Sequence, residues 1–175
     1  MIRLAKATDI PRIAEIYEAI LTAQDAGHCA TGWVRGVYPT AETARGAIEA
    51  EELYVLEENE TILAAARINQ VQVKEYFNCN TWQYDAPAHQ VLVLHTLTVD
   101  PACKGKGYGS DFVRFYEDMA RRTNCPYLRM DTNIINTAAR ALYKKLGYAE
   151  IGIVDSVFNG IDGVKLVLLE KYLEK

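Results

Sequence analysis

No apolar run in this sequence approaches the ~20 residues that a membrane-spanning helix needs, and no membrane partner is expected. Its start, Met1-Ile2-Arg3-Leu4-Ala5-Lys6, lacks the charged-then-apolar pattern of a secretion signal. Cysteine is sparse. Cys29, Cys79, Cys103 and Cys125 stand far apart with no CxxC pair, which argues against a disulfide framework and against a metal site. They read as reduced thiols of a cytoplasmic protein. Cationic excess is also missing: 19 Lys+Arg against 23 Asp+Glu leave a formal charge of −4. A broad nucleic-acid surface needs clustered cations, so no nucleic-acid partner is expected, and an anionic ligand requires a local positive site.

What is present is globular. Half of the 175 residues are hydrophobic and 24% are charged, enough for one solid core, so residues 1–175 read as a single domain. Ile2 to Ala5 reads as a strand. Thr8 and Asp9 offer an N-cap, with Pro11 in the first turn of a helix marked by Ile10, Ile13, Ile16, Tyr17, Ile20 and Leu21. Gly27 to Thr40 is a loop and Ala41 to Glu51 a second helix. Leu53 to Glu57 and Ile62 to Ile68 flank Glu58-Asn59-Glu60 as a hairpin. Residues 70 to 90, with Tyr76, Phe77, Asn78, Asn80, Trp82, Tyr84 and Pro87, read as an extended hairpin, a lid, or an ordinary packed loop. Val91 to Val99 is a near-continuous apolar strand. The helix Gly107 to Arg122, the strand Tyr127 to Thr132 and the helix Asn136 to Leu146 follow, then strands Tyr148 to Val154 and Val164 to Lys171 about a turn at Asn159-Gly160. The order is mixed α/β, with about six or seven strands and about four helices.

The most informative stretch is Asp100-Pro101-Ala102-Cys103-Lys104-Gly105-Lys106-Gly107-Tyr108-Gly109-Ser110. A buried strand ends at a proline, and glycines lead into an amphipathic helix. Unpaired N–H groups at a helix start carry partial positive charge, and glycines let a backbone wrap a phosphate. Lys104 and Lys106 add local charge. The amides of Gly105 to Ser110 are thus placed for a phosphate or diphosphate; the other reading is a turn with two solvated lysines. The Walker pattern GxxxxGK[ST] is absent, and the GxGxG spacing after a late strand fits no dinucleotide fingerprint.

These residues resemble the GNAT superfamily of acetyl-CoA-dependent N-acetyltransferases. Lys104-x-x-Gly107-x-Gly109 is similar to the family's [RQ]xxGxG/A motif, with Lys for Arg or Gln. Asn136 to Tyr148 is similar to its NxxAxxLYxKxGF/Y helix. The resemblance implies a single-domain GNAT fold and transfer of acetyl from acetyl-CoA to a primary amine of a small molecule or peptide. It implies coenzyme A diphosphate on Lys104, Gly105, Lys106, Gly107, Tyr108, Gly109 and Ser110, with the pantetheine arm along Leu97, Thr98 and Val99. Asn136 is a helix cap that also contacts the cofactor, or a cap alone. Tyr143 would protonate the departing thiolate, or is a packed aromatic. His95 lies in a stretch similar to the LHxLxV of arylalkylamine N-acetyltransferases, with Val93 at their second histidine; it would remove the amine's proton, or is a core residue. Trp33, Tyr38, Trp82 and Tyr84 are candidates for an aromatic acceptor pocket, or for ordinary packing. A homodimer through the C-terminal strands is compatible with this pattern. The other functional readings are a non-catalytic acyl-CoA sensor on the same fold and a site for some other nucleotide phosphate.

Overall fold

The apolar spacing from Ile10 to Leu21 builds helix α1, Ile10–Asp25. Asp9 precedes it without capping it. Its carboxylate accepts from the Lys6 N–H at 2.8 Å and pairs with Arg3 at 2.7 Å, closing a 3₁₀ turn over Ala7–Asp9. Thr40 caps α2, Ala41–Glu49, accepting from the Thr43 N–H at 3.3 Å; the helix stops two residues before the expected Glu51, which has turned to φ 57°. The computed structural model describes residues 1–77 and 79–174, so Asn78 and Lys175 lie outside the described residues.

Seven strands form one mixed sheet, giving the α/β class expected. They are β1 (Ile2–Leu4), β2 (Leu53–Glu58), β3 (Thr61–Asn69), β4 (Val91–Val99), β5 (Tyr127–Asn133), β6 (Ala149–Phe158) and β7 (Ile161–Tyr172), in spatial order β1-β2-β3-β4-β5-β7-β6. The expected two C-terminal strands are longer than the apolar pattern suggested. Asn159 and Gly160, both at positive φ, close a two-residue turn, so pairing continues to Phe158↔Ile161. β1 and β6 are the two edge strands of the sheet. Among the described residues no helix is long and apolar enough to cross a membrane.

Helices α3 (Lys74–Phe77), α4 (Tyr108–Arg122) and α5 (Thr137–Lys145) bring the helix count among the described residues to five. α1 and α2 cover one face, burying Ile13, Ile16, Val55 and Ala65. α4 and α5 cover the other, burying Phe112, Tyr116, Leu128, Met130 and Tyr143. A third cluster, Val91, Val93, Leu166 and Leu168, packs beneath Tyr76 and Trp82 of the 70–90 stretch. Its described residues form no hairpin, holding among them the single turn α3 and a 3₁₀ turn at Ala88–Gln90.

One irregularity positions everything functional. β4 and β5 pair in parallel only from Val91↔Tyr127 to Leu94↔Met130. Beyond that, β4 stays with β3 as far as Val99↔Ala64, and β5 stays with β7 as far as Asn133↔Leu166. Between Ala65↔Thr98 and Arg67↔His95 the register slips, because β4 carries one extra residue there. Thr96 sits at φ 52°, uncommon for a β-branched residue. A bulge bends its strand and increases local twist, so β4 swings away from β5 and a wedge opens in mid-sheet.

The packing gives a stability prediction. Phe112 is fully buried and Phe77 is 75% exposed. Phe112→Ala costs about 3–5 kcal/mol by lost transfer and cavity formation, whereas Phe77→Ala stays within about 0.5 kcal/mol. Urea unfolding of the two variants reads the difference directly, and equal losses would refute this account of the core.

Candidate functional site

The glycine loop comes first. Asp100 accepts from the Ala102 N–H at 2.9 Å and ends β4 in a 3₁₀ turn over Pro101–Cys103. The N–H of Lys104 donates to Pro101 O at 3.2 Å and that of Lys106 to Cys103 O at 3.3 Å, so two amides of the stretch point inward. Those of Gly105, Gly107, Tyr108, Gly109 and Ser110 find no acceptor among the described residues. Gly105 and Gly107 adopt φ 84° and 90°, and a Cβ on either would meet no heavy atom within 4 Å, so the concave side is open. Gly109 is different: a Cβ there would lie 3.2 Å from Leu142, so this glycine lets α4 start close against α5. Lys104 and Lys106 are exposed and form no ion pair among the described residues. Tyr108 donates to Glu58 at 2.7 Å, and that bond holds its phenol neutral, pushing its pKa up to about 12. Donors, local charge and open space together make an anion cradle at the start of a 15-residue helix.

Two cavities lie at the wedge between β4 and β5, both lined by Leu94, Thr96 and Asp131. The smaller, about 70 Å³, is lined by Leu97, Asn136 and Tyr143, with Trp33 and Tyr38 opposite. Asn136 caps α5, accepting from the Ala139 N–H at 3.2 Å, and also faces this cavity. Tyr143 is 6% exposed, yet its hydroxyl makes no hydrogen bond to a described residue. Burial, and then the charge of Asp131, raise its pKa, which keeps the proton on oxygen. Thr98 turns away from the wedge, its Oγ1 donating to Ala65 O at 3.0 Å, and Val99 packs near Gly109.

The larger cavity, about 790 Å³, lies on the α1–α2–α3 face. His95 and Arg67 face it from β4 and β3, Glu42 and Thr43 from α2, and residues 71–75 form one wall. His95 Nε2 donates to Asn69 Oδ1 at 2.9 Å. The same oxygen accepts from the Val71 N–H at 3.0 Å, while Asn69 Nδ2 donates to Glu52 at 2.8 Å. Burial and the nearby Arg67 guanidinium push His95 down to about 4, so its ring is neutral at ordinary pH. Asp131 lines both cavities. Burial pushes its carboxyl up to about 6, tempered by the Tyr76 hydroxyl donating to Oδ2 at 2.8 Å and reinforced by Glu75. A group that titrates near neutrality and a retained phenol proton thus flank one opening.

Of the sequence-derived candidates, His95 and Tyr38 line the large cavity, and Leu97, Asn136, Tyr143, Trp33 and Tyr38 the small one. Tyr38 also hydrogen-bonds the Thr96 hydroxyl, so it braces the bulge. Trp82 and Tyr84 line neither cavity. The Trp82 ring lies 3.9 Å from the Arg129 guanidinium carbon and donates its N–H to Tyr76 O at 2.9 Å. Tyr84 stacks on Tyr172 at 5.1 Å. Asp131 escaped the sequence reading. The available signal was Arg129-Met130-Asp131, two charges at alternate positions of a core strand, where an unpaired charge is rarely tolerated.

A model described as the acetyltransferase (GNAT) family matches residues 14–148. The chain is 40% identical over 60 residues to an N-alpha-acetyltransferase RimI of Mycobacterium tuberculosis, which is 34% of this chain and 36% of that protein. Matches to such relatives thus span little over a third of their lengths, 36% and 38%. A GNAT-family acetyltransferase structure from Streptococcus agalactiae superposes with a TM-score of 0.82 at 24% identity, covering 100% of this chain and 96% of the other. The yncA structure from Salmonella typhimurium, solved with its cofactor acetyl-CoA, gives 0.71 at 21% identity, covering 100% and 94%. At these identities the likeness shows the fold.

The cradle can be tested without any cofactor. Inorganic pyrophosphate titrated into the isotope-labelled chain is expected to shift the amide resonances of Gly105, Gly107, Tyr108, Gly109 and Ser110, and to shift those of Lys104 and Lys106 less. Gly107→Val fills the cradle and strains a left-handed position, so it should remove the response. Shifts that survive this substitution would place the anion elsewhere.

Proposed function

Since the chain belongs to the acetyltransferase (GNAT) family, we propose that it transfers an acetyl group from acetyl-CoA to a primary amine of a small molecule or peptide. The observation that carries this reading is Asp131, shared by both cavities, together with the Tyr143 hydroxyl, which has no partner among the described residues. The cradle residues fit a diphosphate: five N–H groups and two lysines that have no partner among the described residues meet its charge. The inner edge of β4 past Leu94 has no strand partner, and this suits an arm that carries its own amide groups. When bound, acetyl-CoA supplies the thioester that the amine attacks and the thiolate that departs.

The chain's own residues then divide the proton work. An alkylamine with a pKa near 10.4 is almost wholly protonated at pH 7, so the site must accept a proton before attack. Asp131, titrating at about 6, is better matched to that task than His95 at about 4. His95 remains a neutral wall group, held by Asn69. Tyr143 Oη keeps its proton until a thiolate forms beside it, and gives it up then. The large cavity receives the amine, with Tyr17, Tyr38 and Phe158 as apolar wall. A relative named N-alpha-acetyltransferase supports an amine as acceptor.

Thiol release from acetyl-CoA, measured over a panel of primary amines, tests the proposal. Tyr143→Phe and Asp131→Asn are each expected to lower kcat by about 10²–10⁴ and leave the Kd for CoA within about twofold. Below about pH 6 Asp131 holds its proton and cannot take another, so kcat/KM should climb with pH up to that point and then level. Asp131→Asn should erase that limb. CoA binding with no turnover on any amine would contradict the proposal and favour a sensor; an unchanged rate in either variant would strike that residue from the mechanism.

A further inference from the structure

The wall formed by residues 71–75 is almost bare of regular structure, yet it borders the large cavity. What holds it is a charged pair in the core. Arg129 of β5 and Glu170 of β7 are register partners, with side chains 7% and 0% exposed. Arg129 lies two residues before Asp131, hence on the same sheet face. Its Nη2 and Nε donate to Glu170 Oε1 at 3.1 and 3.2 Å. Its Nη1 donates to Gln72 Oε1 at 2.7 Å, and Nη2 also reaches Tyr84 O at 3.0 Å. The other Glu170 oxygen accepts the Gln83 N–H at 2.9 Å. Both ends of the excursion are therefore tied to one ion pair.

Its middle is tied through the same group. Arg129 stacks on Trp82, the Trp82 N–H holds the Tyr76 carbonyl, and the Tyr76 hydroxyl holds Asp131. Beside it, Ser156 Oγ donates to the buried Glu75 at 2.7 Å. A buried ion pair is a poor source of stability, since apolar residues of like volume often do as well. It does, however, provide partners for backbone and side-chain groups that no ladder serves.

We propose that the Arg129–Glu170 pair, acting through Trp82 and Tyr76, is a positioning element that fixes residues 71–75 as the acceptor-side wall and thereby sets the affinity for the amine. This rests on the reading of the large cavity as the acceptor site. The groups facing Asp131 are Tyr76 and Glu75 from α3, Tyr143 from α5 and Tyr38 from the 27–40 loop, with His95 and Arg67 along the same cavity. Loosening Tyr76 alone should therefore move the acid limb upward, because Asp131 loses the donor that favours its charged form.

The test uses the full chain and the best amine from a panel of spermidine, lysine, tyramine and an alanine-first peptide. In the double variant Arg129→Met, Glu170→Met we expect at least a tenfold rise in KM for the amine. KM for acetyl-CoA and Kd for CoA should stay within twofold, and the acid limb should shift to higher pH. Trp82→Phe keeps an aromatic face for Arg129 but removes the indole's second ring and its N–H to Tyr76; it should raise the amine KM about threefold, again with no effect on acetyl-CoA, so the idea stays testable if the double variant does not fold. An amine KM unchanged in a folded variant would overturn the proposal. So would a matched loss for both substrates that tracks the folded fraction, as a merely structural pair would give. Absence of turnover in the unaltered chain would instead strike the acceptor-site reading.

Discussion

β4 and β5 lie side by side for four residues and then separate, and the site exists because they separate. Parallel neighbours satisfy each other's backbone groups, and ending that pairing at Leu94↔Met130 leaves two polar edges inside the sheet. The fold tolerates this because each strand keeps its outer partner, β3 for one and β7 for the other. The extra residue at Thr96, braced by Tyr38, supplies the bend. Asp131 on β5 and Tyr143 on α5 reach the cavities that this opening creates. The opening turns core positions into lining.

The same opening explains the electrostatics. Asp131 sits on a strand whose neighbours are Met130 and Leu128, and such burial penalises its charge. One donor, the Tyr76 hydroxyl, offsets part of that penalty without removing it. The result is a carboxyl that changes protonation close to neutral pH. Across the wedge, burial acts with the opposite use on Tyr143, keeping its proton in place. His95, two strand positions past Val93, is driven to the neutral form by burial and Arg67. Three groups on neighbouring elements thus reach different protonation states from one cause, limited solvent access, weighted by different partners.

How much of this was legible in the sequence follows from the range of each interaction. The glycines around Lys106, the Asn136 cap and the Asn159-Gly160 turn are local features, and their letters report them directly. Tyr143 was legible because a helix repeats every 3.6 residues, which puts it on the Asn136 side. The bulge at Thr96 left no letter, since threonine is an ordinary strand residue and only the register against β3 reveals the extra one. Asp131 depends on Tyr76, 55 residues away, and no local window contains both. Trp82 and Tyr84 looked like pocket residues by type. Their placement was decided instead by Arg129 and Tyr172, which belong to other strands.

The backbone of β4 beyond the bulge is where the parting of the strands is measured most directly. Hydrogen exchange should show the amides of residues 91–94 slow both with and without CoA. Those of residues 95–99 that do not donate to β3 should exchange quickly in the free chain and at least tenfold more slowly once CoA is bound. Uniformly slow exchange in the free chain would mean the strands do not part, and saturating CoA with no slowing there would mean the ligand lies elsewhere; either result contradicts the account.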